Sequence, residues 1–81
     1  MKTADGINTA LGETVRDLRI QKGLTQEKLA EKCETSAVYI SEIERGLKMP
    51  TVATLLAISV ALDLKLSEMV IKLEERITYE S

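Results

Sequence analysis

The chain has 81 residues, of which 44% are hydrophobic and 30% charged, and its formal net charge is −2 with a pI near 5.1. These values fit one globular domain and exclude a disordered chain or a strongly basic one. The acidic balance argues against a basic stripe for nucleic acid. However, acidic and basic residues balance between Glu13 and Lys48, and the acidic surplus lies after Ala61. A locally basic face on that neutral region stays open.

The rare residue types indicate a compartment and exclude some chemistry. Cys33 is the single cysteine, which fits a reducing compartment. Histidine, the commonest general base and metal ligand, is absent. Met1–Ala10 lacks the apolar core of a signal peptide, and the longest apolar stretch, Val52–Leu62, is too short to span a bilayer. We therefore expect a cytoplasmic protein with no membrane partner, no cofactor and no metal.

The chain begins with a polar segment that is followed by a helical pattern. Asp5 and Gly6 interrupt any periodicity, so residues 1–7 are predicted to form a flexible tail. The first helix is predicted over Asn8–Lys22, because its apolar residues recur at steps of four and three. Gly23 follows at the position where a left-handed cap residue is expected.

Two short helices joined by a tight turn come next. Thr25 is a good N-cap for a helix over Gln26–Cys33, and Ser36 is a good N-cap for a helix over Ala37–Arg45. The turn between them consists of Glu34 and Thr35.

The last two helices are predicted from their caps and apolar spacing. Thr51 caps a helix over Val52–Leu62, and a final helix runs over Leu66–Thr78. The predicted buried face of the fourth helix comprises Leu55, Leu56, Ile58 and Leu62. The apolar stripe of the fifth comprises Met69, Val70, Leu73 and Ile77, and Lys72, Glu74, Glu75 and Arg76 are expected to face water. The pattern predicts a compact, all-α, five-helix domain.

One segment carries a specific motif. It consists of Leu24-Thr25-Gln26, Leu29-Ala30, Ile40-Ser41, Ile43-Glu44-Arg45-Gly46 and Pro50. This motif resembles the Cro/repressor-type helix-turn-helix domain of phage repressors and many bacterial regulators, over about Leu11–Val70. The Tyr39-Ile40-Ser41 triplet and the short last helix look most like the controller proteins of restriction-modification systems. The resemblance implies a lambda-repressor-like fold that binds double-stranded DNA.

The resemblance also implies roles for individual residues. The third helix enters the major groove in such proteins. The residues it places near base edges are Ser36, Ala37, Val38, Tyr39, Ser41 and Glu42. The residues it assigns to phosphate contact are Gln26, Lys48, Arg45 and Arg16, and a helix N-terminus at Gln26 favours an anion as well. Arg19 and Glu44 match a pair that forms an internal salt bridge in the phage repressors.

The chain departs from the family pattern in two places. Glu34 stands in the turn where a glycine is usual, and a left-handed glutamate costs about 1 kcal/mol relative to glycine. The turn is therefore either strained or shaped differently. Ala37 and Val38 stand where relatives often carry Arg, Gln or Asn, and they can only touch a thymine methyl group. Specificity then depends on such contacts, on Tyr39 and Ser41, and on DNA shape.

The last helix carries apolar residues that suggest a second copy of the chain. Residues 8–81 are expected to form the helix-turn-helix domain with a C-terminal dimerisation helix, acting as a homodimer on a near-palindromic operator. The predicted dimer interface consists of Leu66, Val70, Leu73 and Ile77. The alternative is that these residues cover the core of their own protomer.

Three classes of function compete at this point. The first is a DNA-binding transcription regulator. The second is a protein-interaction or antitoxin-like module that uses the same scaffold, and RNA polymerase or a toxin is left open as a partner. An enzyme is the third and the least favoured, because the sequence lacks histidine, a metal cluster and a glycine-rich phosphate loop.

Overall fold

The computed structural model describes residues 4–78, and every regular element in that range is a helix. The five helices are α1 (Ala4–Gln21), α2 (Gln26–Lys32), α3 (Ala37–Glu44), α4 (Val52–Ala61) and α5 (Leu66–Thr78). The predicted all-α, five-helix architecture is confirmed.

The three predicted N-caps explain where α2, α3 and α4 begin. The side-chain oxygens of Thr25, Ser36 and Thr51 each accept a hydrogen bond from the backbone amide three residues further on, at 3.0, 3.1 and 3.2 Å. Each bond satisfies one of the amides that have no carbonyl partner within the helix.

The start of α1 differs from the prediction. The structure places residues 4–7 in the helix, so the predicted tail is wrong there; residues 1–3 lie outside the described residues. Gly6 costs only about 1 kcal/mol in a helix, which is too little to end one. The ends of the first four helices fall one residue before the prediction, and α5 matches it.

The C-termini of these four helices share one backbone arrangement. After each helix, an amide two residues beyond the cap bonds to a carbonyl five residues earlier, at 2.9–3.1 Å. The residue between has positive φ, and these residues are Gly23, Glu34, Gly46 and Asp63. This is the Schellman motif, which favours glycine. Glu34 has a φ of 56°, so the first of the two alternatives for its turn, a strained left-handed residue, is confirmed.

The core is aliphatic and centres on α3. This helix packs against α1 and α2, α5 packs against α1 and α4, and α4 also contacts α2. The buried hydrophobic cluster comprises Leu11, Val15, Leu18, Leu29, Ala30, Ile40, Ile43, Ile58, Leu62 and Met69. In this arrangement α1 and α2 cover one face of α3, and its opposite face lies at the surface.

The inner face of α4 differs from the prediction. Leu56 is 49% exposed, so its predicted burial is wrong, whereas Ser59 is buried and its hydroxyl donates to the Leu56 carbonyl at 2.7 Å. The ten residues of α4 include no charged side chain and are apolar on every side. Hydrophobic spacing therefore cannot indicate which side faces the core.

The side chain of Arg76 docks α5 onto α1. Its guanidinium pairs with Glu13 at 3.3 Å and with Asp17. The expectation that Arg76 simply faces water is wrong. Its partners lie about sixty residues earlier in the chain, where no local pattern indicates them.

Candidate nucleic-acid interface

One face of α3 is buried in the core, and the opposite face forms a short ridge at the surface around Val38. Ile40 and Ile43 are completely buried, whereas Val38, in the first turn, is 68% exposed. A helix of eight residues with one face locked into the core and the other at the surface has the shape of a recognition helix.

The other predicted base-proximal residues lie around Val38 at different depths. Ser36 is exposed, and Ala37, Tyr39, Ser41 and Glu42 are partly buried. Ala37 and Tyr39 also pack against the hydrophobic core, so part of each side chain serves the fold. The Ser36 hydroxyl oxygen accepts the Tyr39 amide, which leaves its hydrogen able to donate elsewhere.

Two cations follow directly after the ridge. Arg45 is the C-cap residue of α3 and is exposed, and its Nε donates to the Ser41 carbonyl at 3.4 Å. Lys48 is exposed in the segment that joins α3 to α4. The third predicted cation, Arg16, is exposed on α1. The ridge therefore has a positive flank at its C-terminal end, although Glu42 adds a carboxylate within it.

A buried ion pair fastens the C-terminal turn of α3 to α1. Arg19 Nε donates to Glu44 Oε2 at 2.6 Å, and Arg19 Nη2 donates to Glu44 Oε1 at 3.0 Å. Arg19 Nη1 also donates to the Leu24 carbonyl at 2.7 Å, so the same guanidinium fixes the segment that leads into α2. The pair expected from the sequence is thus present. The hydrogen bond to Glu44 raises the pKa of Arg19 above its ordinary value, and burial opposes this rise.

Gln26 joins this network, which sequence reasoning missed. Its Nε2 donates to Glu44 Oε1 at 3.0 Å, and the residue is partly buried. The amide group has a second hydrogen on the same nitrogen, so it can hold Glu44 and still offer a donor. Eighteen residues separate the two, and no motif in the sequence indicates the contact.

Gly12 determines how closely α1 approaches α3, and it too was missed. A Cβ atom built on Gly12 would lie 2.5 Å from the carbonyl oxygens of both Ile43 and Glu44. Real Cβ atoms essentially never approach so closely, so only glycine fits this crossing. A glycine inside a predicted amphipathic helix was the available signal, because it costs about 1 kcal/mol there unless close packing requires it.

The described residues offer little for other chemistry. Over residues 4–78, no group of three or more His, Cys, Asp or Glu residues could hold a metal ion. No helix in that same range is long and apolar enough to cross a membrane. Burial raises the pKa of the Cys33 thiol, which disfavours its reactive thiolate form.

Comparisons with known proteins agree with this geometry. A family model described as helix-turn-helix (HTH_3) matches residues 15–69. The transcriptional regulator ClgR of Mycobacterium tuberculosis is 37% identical over 70 residues. That alignment covers 86% of this chain, which spans 62% of the length of that relative.

Two solved structures have the same fold. The clp gene regulator ClgR from Corynebacterium glutamicum superposes with a TM-score of 0.86 at 31% identity, covering 91% of this chain and 79% of the other. The restriction-modification controller protein C.AhdI from Aeromonas hydrophila has a TM-score of 0.74 at 32% identity, covering 76% and 94%. The resemblance to repressors and controller proteins is confirmed.

Proposed function

Because the chain belongs to the HTH_3 helix-turn-helix family of transcriptional regulators, we propose that it regulates transcription by inserting α3 into the major groove of double-stranded DNA. The observation that carries this proposal is the exposure of Val38 on a helix whose opposite face is buried. The proposal includes no enzymatic activity, because the relatives of this chain are transcriptional regulators. The protein acts in the cytoplasm, which the free thiol of Cys33 suits.

Base readout in this proposal is mostly apolar. Val38 and Ala37 contact thymine methyl groups, while Ser36, Ser41 and the Tyr39 hydroxyl supply hydrogen bonds to base edges. Glu42 accepts from a cytosine amino group but repels phosphate. Because so few polar contacts are available, the sequence-dependent shape of the DNA contributes much of the specificity.

Phosphate contacts hold the helix in register beside the groove. Arg45 and Lys48 grip the backbone at the C-terminal end of α3, and Arg16 adds a contact from α1. Gln26 uses its remaining amide hydrogen on a phosphate. Since Glu44 already orients that amide, the contact loses little side-chain entropy on binding.

The regulator acts as a homodimer on a near-palindromic operator. A single recognition helix of eight residues reads too few bases for a regulator, and a two-fold pair reads two half-sites about 34 Å apart. The α5 residues expected at the interface, Leu66, Val70, Leu73 and Ile77, are all partly buried in the protomer. Leu73 also packs against the core, so these residues offer a shallow surface.

A salt series on duplex DNA tests the proposal. Affinity should fall steeply as salt rises, because phosphate contacts release counterions. Changing Arg45 and Lys48 together to glutamine should reduce the slope of log affinity against log salt by about 2. Lys72→Gln is the matched control: it removes an exposed cation from α5, which packs against α1 and α4, and should leave the slope unchanged.

Two results would contradict the proposal. One is the absence of binding to any duplex at low salt. The other is a slope of log affinity against log salt that stays the same when Arg45 and Lys48 are both changed to glutamine. Affinity for a protein that persists at high salt would instead favour the interaction or antitoxin-like module. The observation behind that second candidate is that α3 itself carries carboxylates and no basic side chain before Arg45.

A further inference from the structure

A groove of about 540 Å³ lies where three helices end. Its lining residues belong to the C-terminal ends of α2 and α4 and to the segments that directly follow α1 and α4, and none belongs to α3. The apolar lining residues are Leu24, Ala57, Val60 and Ala61, and the charged ones are Lys22, Lys32 and Asp63. We name this feature the lysine groove.

The apolar floor of the lysine groove is held in place by the core. Leu24 and Ala61 are partly buried and pack against the hydrophobic cluster. The Leu24 carbonyl also accepts a hydrogen bond from Arg19 Nη1 at 2.7 Å, which fixes the wall that follows α1. Ala57 lies one helical turn before Ala61, and two such small side chains leave room above α4. The floor is therefore formed before any ligand binds, which lowers the cost of binding.

The charged rim of the groove has more ammonium groups than carboxylates. Lys22 forms an ion pair with Asp63, and both side chains are exposed. Lys32 is also exposed, and it has no ion-pair partner within residues 4–78. The hydrogen bond and charge of Lys22, with a smaller contribution from Lys32, lower the pKa of Asp63 below its ordinary value. One carboxylate thus lies in the field of two lysines, and the rim keeps a positive charge for a ligand.

The combination of floor and rim indicates the kind of ligand. Lysines near helix C-termini are stabilised by the helix dipole, so their position alone does not indicate a partner. The apolar floor between them has no such explanation, because a dipole acts only on charge. The groove is open to solvent, and Val60 on its lining is 64% exposed, so a small molecule would leave much of its surface in water. An amphipathic helix, in contrast, buries only its apolar face in a groove.

We propose that the lysine groove binds an acidic amphipathic helix of a partner protein. Apolar side chains of that helix pack on Leu24, Ala57 and Ala61, and its carboxylates pair with Lys22 and Lys32. Opposite charges on the two surfaces speed their encounter and fix the orientation of the helix.

This binding goes beyond the proposed function, because it adds a protein partner to a chain that also binds DNA. Lys32 and Gln26 lie at opposite ends of α2, about 9 Å apart along its axis. A helix in the lysine groove therefore leaves the phosphate contact of Gln26 and the exposed face of α3 free.

The test titrates the full, isotopically labelled chain, in the absence of DNA, with a synthetic amphipathic peptide of about 20 residues. Leucines form one face of this peptide, and glutamates flank them. Amide resonances of the lysine groove should shift, and those of the exposed face of α3 should not. The same peptide with glutamine in place of every glutamate should bind at least about 5-fold more weakly, because it loses its pairing with the rim.

Removing the lysines of the rim tests the charge contribution. Lys22→Gln combined with Lys32→Gln should weaken binding of the acidic peptide about 5-fold. The matched control is Lys65→Gln combined with Lys72→Gln, which removes the same charge from exposed positions outside the groove and should leave the affinity unchanged.

A single change at the apolar lining tests the other half of the site. Val60→Glu should weaken binding of the acidic peptide at least about 10-fold, because it sets a carboxylate against an apolar and acidic surface. Val52→Glu is the matched control, because it makes the same change on the same helix at 72% exposure and lies outside the groove.

Three results would overturn the proposal: no shift of groove resonances, equal binding of the glutamine peptide, or an equal loss of affinity in the control variants. Groove shifts with sodium decanoate but not with the peptide would assign the site to a small amphiphile instead. A lower salt slope for DNA in the Lys22 and Lys32 double variant, without peptide binding, would assign these lysines to phosphate. Because the titration contains no DNA, its failure is separate from failure of the proposed function.

Discussion

Glu44→Ala should lower the free energy of unfolding by about 3 kcal/mol, because it leaves the buried guanidinium of Arg19 without its carboxylate partner. Arg19 and Glu44 are both about nine-tenths buried and joined by two hydrogen bonds. The variant also removes the acceptor of the Gln26 amide. Arginine cannot escape the penalty by releasing its proton, since a guanidinium group stays protonated in proteins.

Denaturant unfolding followed by circular dichroism measures this loss. Glu31→Ala is the control, because Glu31 belongs to an exposed pair with Lys28 at 3.6 Å, and such pairs contribute about 0–1 kcal/mol. Replacing both members of the buried pair, Arg19→Met with Glu44→Leu, should cost less than Glu44→Ala alone. Equal stability of Glu44→Ala and the wild-type chain would refute the role assigned to the pair.

Gly12→Ala should lower the free energy of unfolding by about 3 kcal/mol, at the upper end of overpacking penalties. The added methyl group meets two backbone carbonyl oxygens at 2.5 Å, and backbone cannot rotate aside as a flexible side chain can. The sign is informative, because alanine in place of glycine normally stabilises a helix by about 1 kcal/mol.

The contribution of helix propensity to the effect of Gly12→Ala can be measured separately at Glu74, an exposed residue of α5. The difference in stability between Glu74→Ala and Glu74→Gly reports the helical preference alone, and it should favour alanine by about 1 kcal/mol. If Gly12→Ala instead raises the free energy of unfolding by a similar amount, α1 and α3 cross less closely than the structure indicates. The crossing would then not fix the position of α3.

The starts of α2, α3 and α4 were predictable because a threonine or serine cap is a local signal. Thr25, Ser36 and Thr51 need only their own next turn to act, so three neighbouring residues contain the information. That Glu34 stands where a glycine is usual was visible for the same reason, but only the structure decided between a strained left-handed residue and a differently shaped turn. Backbone geometry at a helix end depends on a few consecutive residues, and the substitution for glycine was visible in the motif.

The contacts between distant residues were not readable from local pattern. The pairing of Arg19 with Glu44 was expected only through the resemblance to phage repressors, and the contact of Gln26 with Glu44 was missed. The misassignment of Leu56 has a different cause. When a helix is apolar on every side, spacing gives no orientation, and only the packing of α4 against its neighbours decides which side is buried.

The central claim is that α3 reads DNA, and nuclease protection of the DNA immediately upstream of the chain's own gene tests it most directly. The wild-type chain should protect an inverted repeat with half-sites about 10 base pairs apart. Val38→Glu should abolish that protection without changing the fold, because it adds a carboxylate to an exposed position facing the groove. An unprotected upstream region at low salt, or equal protection by Val38→Glu, would contradict the claim.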